Sequence, residues 1–158
     1  MGRRIDYIDD PDAPKANSLV PSVNAIVTNA TGHVLLIERT DNGNWSLPGG
    51  AMDLGETIRQ AAVRETLEET GVHIEITGIN GIYTDPRHVL HYTSNDEVRQ
   101  EFSVVFIARP LSGEPTPSNE SSRVEWVSPD ELDGLQMNPS MRKRLRYFQS
   151  GHAEPYLD

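Results

Sequence analysis

The chain has no cysteine. Disulfides and thiolate chemistry are therefore excluded, and nothing marks a cross-linked secreted scaffold. It also lacks any long apolar run: no stretch approaches the roughly 20 apolar residues of a membrane-spanning helix. The opening MGRRIDYIDDPDAPKAN has no apolar core of the kind a signal peptide carries. It also misses the myristoylation pattern, because position 6 is Asp6. A cytoplasmic protein without membrane contact is expected. Positive charge is scarce, with 14 Lys and Arg against 24 Asp and Glu, a formal net charge of −10 over 158 residues. That balance disfavours binding to nucleic acid through its phosphates. It would also repel a polyphosphate ligand unless a metal ion or a local basic cluster reverses the field.

What is present has clear local order. Residues 1–18 are polar, carry Pro11 and Pro14, and read as an N-terminal tail. Residues 19–150 read as one domain and 151–158 as a C-terminal tail. SVNAIVTNATGHVLLIER (22–39) reads as two strands around a turn at 29–32. NWSLPGGAMDLGE (44–56) is a glycine-rich structured loop. Thr57 to Thr70 is the clearest helix, with a capping box from Thr57 and Gln60 and with Gly71 as its stop. Two apolar stripes are expected on it, Val63–Leu67–Thr70 and Ile58–Ala61–Ala62. Strands follow at 73–85, 88–92, 101–109 and 123–128. SPDEL begins a second helix with Ser128 as cap and Glu131 closing a capping box, and PSMRKRLRYF (139–148) forms a third. Its Met141, Leu145 and Phe148 make an apolar stripe, so the basic run is its wet face. The order predicts a layered α+β domain.

RETLEETG (64–71) places Glu65, Glu68 and Glu69 three and four residues apart, so their carboxylates can share one small volume. Carboxylate oxygens are hard ligands suited to Mg²⁺, Mn²⁺ or Ca²⁺. Acidic triplets on helices are more often solvated faces. Here the spacing runs from Gly50 through Glu56 to Arg64–Glu65, Glu68–Glu69, Gly71 and Val72. It resembles the Nudix box, G-x5-E-x7-R-E-U-x-E-E-x-G-U, at every fixed polar and glycine position; only the aliphatic position at Thr66 departs. LPGG (47–50) and WVSPDEL (126–132) extend the resemblance over roughly residues 20–148.

The resemblance implies a Nudix α/β/α sandwich with a mixed central sheet. It implies a Mg²⁺- or Mn²⁺-dependent enzyme that hydrolyses a nucleoside diphosphate linked to another group. Glu65, Glu68, Glu69 and the Gly49 carbonyl become metal ligands. Glu68 or Glu69 also orients water, and Glu56 with Arg64 forms a bracing ion pair. Glu120 is the leading candidate base, with Glu101 beside it against the alternative of a surface glutamate. Arg39, Tyr83 and Arg99 are candidate substrate contacts, although Tyr83 and Trp45 are also natural packing residues. Pro86, fifteen positions after Gly71, points weakly to ADP-ribose or a nucleotide sugar. His88 and His91 read as ordinary residues. The alternatives are an enzyme clearing a modified nucleoside triphosphate such as 8-oxo-dGTP, and a non-catalytic nucleotide sensor. A homodimer is expected only by analogy with the family.

Overall fold

A computed structural model describes residues 2–158. Its strands are β1 (Arg4–Ile8), β2 (Ser18–Leu19), β3 (Ser22–Val27), β4 (Val34–Arg39), β5 (Trp45–Ser46), β6 (Gly49–Ala51), β7 (His73–Tyr83), β8 (His88–Tyr92), β9 (Glu97–Gln100), β10 (Ser103–Ser112), β11 (Ser121–Val127) and β12 (Tyr156–Leu157). Helix α1 spans Ile58–Thr70 and α2 spans Pro139–Gln149. The central sheet has the order β12-β7-β10-β3-β6. It is mixed: β10 runs parallel to β3 and antiparallel to β7. A second sheet has the order β11-β4-β5, and a third β1-β8-β9-β2.

The apolar strands are buried on both faces, and their alternation sorts residues between two cores. Ile26, Val34, Leu36 and Val105 face one way and meet Leu145 of α2, with Met141 and Phe148 beside it. Ala25, Val27, Leu35 and Ile37 face the other, where Val63 of α1 packs. Ala61 and Ala62 of α1 close over Val23 and Phe106 nearby. A helix therefore covers each face, giving the α+β sandwich expected from sequence.

Helix α1 begins and ends as its sequence dictates. Thr57 and Gln60 form the reciprocal capping box, and Gly71 adopts φ 76° while its N–H donates to Leu67 O. That left-handed turn suits a residue without Cβ, and a Cβ there would also press on Glu114 O at 3.0 Å. The covered face differs from expectation. Ala61, Ala62, Thr66, Glu69 and Thr70 are buried, while Leu67 is 45% exposed. One packed face replaces the two stripes, and Glu69 lies within it.

Several boundaries also differ. The segment read as an N-terminal tail contains β1, paired antiparallel with β8 from Arg4↔Tyr92 to Ile8↔His88. Its polar composition hid a strand that owes its order to backbone pairing and ion pairs. The C-terminal tail likewise contributes β12, which lies parallel to Gly81 and Ile82 of β7. SPDEL opens a 3₁₀ turn (Pro129–Gly134), not an α-helix; Ser128 accepts from the Asp130 N–H, and the turn ends at Leu135. Strand β9 was not foreseen.

Thr66 occupies the one box position where an aliphatic residue is expected. It is fully buried, and its Oγ1 has no hydrogen-bond partner. Replacing this hydroxyl by a methyl of the same shape removes an uncompensated desolvation cost at no change in β-branching. Thr66→Val is expected to raise unfolding stability by about 1 kcal/mol in urea titration.

Candidate active site

Strand β6 pairs antiparallel with β3, setting Gly49 opposite Asn24 and Gly50 opposite Val23. Helix α1 packs against β6. Gly50 needs to be glycine for a steric reason. A Cβ there would come within 2.7 Å of both Glu65 carboxylate oxygens, so the bare backbone is what lets that carboxylate lie over the loop. Gly49 is tighter still, since a Cβ would meet the backbone oxygen of Val23 at 2.0 Å.

A cleft of about 430 Å³ opens here, lined by Gly49, Gly50, Glu65, Glu68, Glu69 and Glu120 together with Tyr92 and Arg99. Ser121 Oγ donates to Glu69 O at 2.6 Å and ties the loop carrying Glu120 to the end of α1. Four acidic side chains thus share one wall. Glu69 is only 6% exposed. Burial, reinforced by the charges of Glu65 and Glu120, pushes its carboxyl up to about 8, while the Gly49 amide favours the ionised form slightly. Glu65 is also raised, first by burial and only partly offset by Arg64.

Arg64 is the cation nearest the cluster on α1. Its Nε and Nη2 donate to Glu56 Oε2 and Oε1 at 3.0 and 2.8 Å, a side-on pair that fixes the guanidinium plane. Nη2 also donates to Ala51 O at 3.2 Å. Nη1 reaches Glu65 at 2.9 Å and Glu68 at 3.2 Å. Glu56 in turn accepts the Asp53 N–H at 2.7 Å. Arg64 thereby stitches the 51–56 loop to the helix and holds Glu56 down to about 2. It makes no hydrogen bond to Glu69. Among the described residues no three acidic groups close into a ready-made metal cage. Arg64 draws Glu65 and Glu68 to one side, while the carboxyls of Glu65 and Glu69 lie within hydrogen-bond reach of each other. The oxygen donors nonetheless fit a hard divalent ion. Buried Glu69, crowded by Glu65 and Glu120, is the group whose charge most lacks a counter-ion.

The remaining candidates separate. Arg99 lines the acidic cleft and stacks over Tyr92 at 4.6 Å. Arg39 lies in an adjoining inner cavity that shares Gly49, Gly50, Glu69 and Arg99 with the cleft. Tyr83 does not reach the cleft. It is 4% exposed in the core, stacked on Tyr156 with centroids 4.6 Å apart, and its hydroxyl accepts from Asn80. Trp45 is a core residue too. Glu101 is not a surface residue and does not line the acidic cleft; it lines the inner cavity with Arg39. It is buried against Arg144 at 3.0 Å, His88 Nδ1 at 3.2 Å and the Ser103 hydroxyl. Arg144 also donates to Asn24, whose amide points to Leu47 O and Pro48 O just before the glycine turn. This buried network, and the place of Arg4 beside the inner cavity, had no signal in local sequence patterns, because each joins segments far apart in the chain.

The NUDIX domain family matches residues 18–148. The chain belongs to the Nudix family. A MutT-like protein of Streptomyces ambofaciens is 36% identical over 129 residues, covering 80% of this chain and 75% of that protein. A putative 8-oxo-dGTP diphosphatase of Bacillus subtilis is 33% identical over 126 residues, covering 80% and 77%. An ADP-ribose pyrophosphatase of Methanocaldococcus jannaschii is 32% identical over 105 residues, covering 65% and 58%. Among solved structures, a Nudix hydrolase from Nitrosomonas europaea superposes with a TM-score of 0.70 at 26% identity, covering 89% of this chain and 78% of that one. The protein is thus a Nudix pyrophosphohydrolase, an enzyme of phosphoric anhydride bonds, from a family that acts on small nucleotides and generally uses divalent metals. No described helix is long and apolar enough to cross a membrane.

Gly50→Ala tests the close approach of Glu65. The clash falls on the movable end of a side chain, so folding should survive with little change in melting temperature. Displacing the carboxylate should lower kcat/KM about ten- to hundredfold.

Proposed function

We propose that the acidic cleft holds Mg²⁺ or Mn²⁺ and hydrolyses a nucleoside diphosphate linked to another group. The observation that carries this is the convergence of Glu65, Glu68, Glu69 and Glu120 on one cleft, with Glu69 buried and without a hydrogen bond from the neighbouring arginine. Glu65, Glu68, Glu69 and the Gly49 carbonyl are the proposed ligands. A bound divalent ion supplies neutralisation of pyrophosphate charge and acidification of water.

The chain's own residues do the rest. Glu56 and Arg64 keep the 51–56 loop seated on α1, so the glycine turn and the carboxylates hold their spacing. Arg64 Nη1 engages one oxygen each of Glu65 and Glu68, which leaves the second oxygen of each available to a metal ion. Its Glu56 pair keeps the guanidinium in place. Glu120, which lines the cleft on a loop tied to the backbone of Glu69, is the proposed base for the attacking water. Arg99 at the rim is available to a phosphate oxygen.

Two substrate readings stay in view. ADP-ribose or a nucleotide sugar agrees with Pro86, although that residue lines a surface cleft with Arg87 and Asp9, apart from the acidic one. A modified nucleoside triphosphate agrees with the name of the Bacillus subtilis relative, a putative 8-oxo-dGTP diphosphatase. A homodimer and a cytoplasmic location belong to the same proposal.

Turnover of a nucleotide panel with Mg²⁺ or Mn²⁺, followed through the phosphate products, is the test. Hydrolysis of at least one member supports the proposal. Tight binding without turnover under either metal would transfer support to a sensor. Glu69→Gln should leave folding intact and lower kcat by at least about a hundredfold; an unchanged kcat would remove Glu69 from the machinery.

A further inference from the structure

The inner cavity that adjoins the acidic cleft is lined by four arginines and two glutamates. Glu69 is shared with the cleft and Glu101 is paired with Arg144 at 3.0 Å; the other three arginines are Arg4 of β1, Arg39 of β4 and Arg99 of β9. Each is held in the same manner. Arg4 places Nε and Nη2 on Asp6 at 2.7 and 3.0 Å. Arg39 does so on Asp41 at 2.9 and 2.7 Å, and Arg99 on Glu97 at 2.7 and 3.1 Å. Every partner is two residues away on the same strand or its end. Each guanidinium is therefore oriented from one side, and its Nη1 has no protein partner among the described residues.

The cavity wall includes the three arginines but not Asp6, Asp41 or Glu97. Asp6 and Asp41 line a neighbouring cavity instead, and the carboxylates within the wall are Glu101, paired with Arg144, and Glu69. The side chains are 27%, 31% and 24% exposed, so a solute can reach them. Asp6 is itself fixed, accepting from Asn138 Nδ2 at 2.9 Å, which keeps Arg4 from swinging away. Asn24, Ser22 and Ser46 add further polar groups to the same wall. In a chain of net charge −10 this is a local donor-rich surface beside an acidic one.

From this geometry we infer that Arg4, on a strand outside the segment matched by the family, completes a phosphate-binding subsite with Arg39 and Arg99. The inference rests on the hydrolase reading of the neighbouring cleft and sharpens it. The preferred substrate carries a phosphate group besides those engaged by the acidic cluster, as a nucleoside triphosphate does and ADP-ribose does not. Oriented guanidiniums suit such a ligand because phosphate oxygens accept charge-assisted bonds in the guanidinium plane.

Binding of inorganic pyrophosphate in EDTA, measured by calorimetry, separates this subsite from any metal site. Wild type should bind without a metal. Arg4→Gln should weaken binding about tenfold or more, as should Arg99→Gln on a different strand if Arg4→Gln fails to fold. Arg87 makes the same side-on pair with Asp85 but lies outside the cavity, so Arg87→Gln should bind as wild type. In turnover, Arg4→Gln should raise KM for a nucleoside triphosphate about tenfold with kcat within about threefold, and change KM for ADP-ribose less. Absence of pyrophosphate binding by wild type, or equal binding by a folded Arg4→Gln, overturns the subsite. Failure of every nucleotide to turn over would instead strike the hydrolase reading while leaving the EDTA measurement to decide the subsite.

Discussion

Crowding of like charge against a bare glycine turn is the constraint on which the rest of the molecule depends. Four glutamates converge on one cleft, and one of them is buried in the packed face of α1. A carboxylate taken out of water beside others resists ionisation, and Glu69 does so up to about 8. Such a site costs stability when its carboxylates are charged and lack a cation, and so must be held together by the surrounding structure. The capping box, the left-handed stop at Gly71 and the Arg64–Glu56 pair are what hold it. Arg64 is spent on the loop and on Glu65 and Glu68, which leaves Glu69 as the open demand for positive charge. Its energetic role is orientation, since a partly exposed ion pair adds little to stability by itself.

Local patterns carried much of this. The helix, both its ends and the Glu56–Arg64–Glu65–Glu68–Glu69 spacing are properties of a contiguous segment, so 3.6-residue periodicity and capping rules suffice to place them. Strands β3 and β4 were legible as two apolar runs around a turn. Thr66 was legible as the odd residue of the box, but not its buried, unpartnered hydroxyl. The failures share a cause. Arg4–Ile8 looks like a polar tail because an edge strand needs little apolar surface when its backbone pairs with β8. Leu67 looked like a packing residue, and Glu69 did not, because the wheel alone cannot say which arc the sheet covers. Tyr83 could serve as a stacking platform or as core, and Asn80 and Tyr156 decide for core only in three dimensions. Glu101 turned inward because Arg144, 43 residues later, meets it there.

The two sides of the site divide the work by charge. On the proposed reading the acidic wall takes a cation, and the inner cavity presents Arg4, Arg39 and Arg99 beside the Arg144–Glu101 pair. Both are built from segments that β6 and β9 bring together, so a polyphosphate bridging them would meet a divalent ion at one end and arginine at the other. The net negative charge of the chain then favours metal-complexed nucleotide over the free anion.

The titration of Glu69 tests the central claim most directly. In protein carrying ¹³C-labelled glutamate carboxyls, with the resonance identified by its loss in Glu69→Gln, the metal-free enzyme should show Glu69 titrating near pH 8. Its folded-state value exceeds that of a free glutamate. Its strain is therefore absent below about pH 4.5 and grows as pH rises toward 8. Saturating Mg²⁺ stabilises only the ionised form, so it should drive the midpoint down by more than about two units. A Glu69 carboxyl that titrates near 4.5, with or without Mg²⁺, would contradict both the crowding and the metal site it is held to serve.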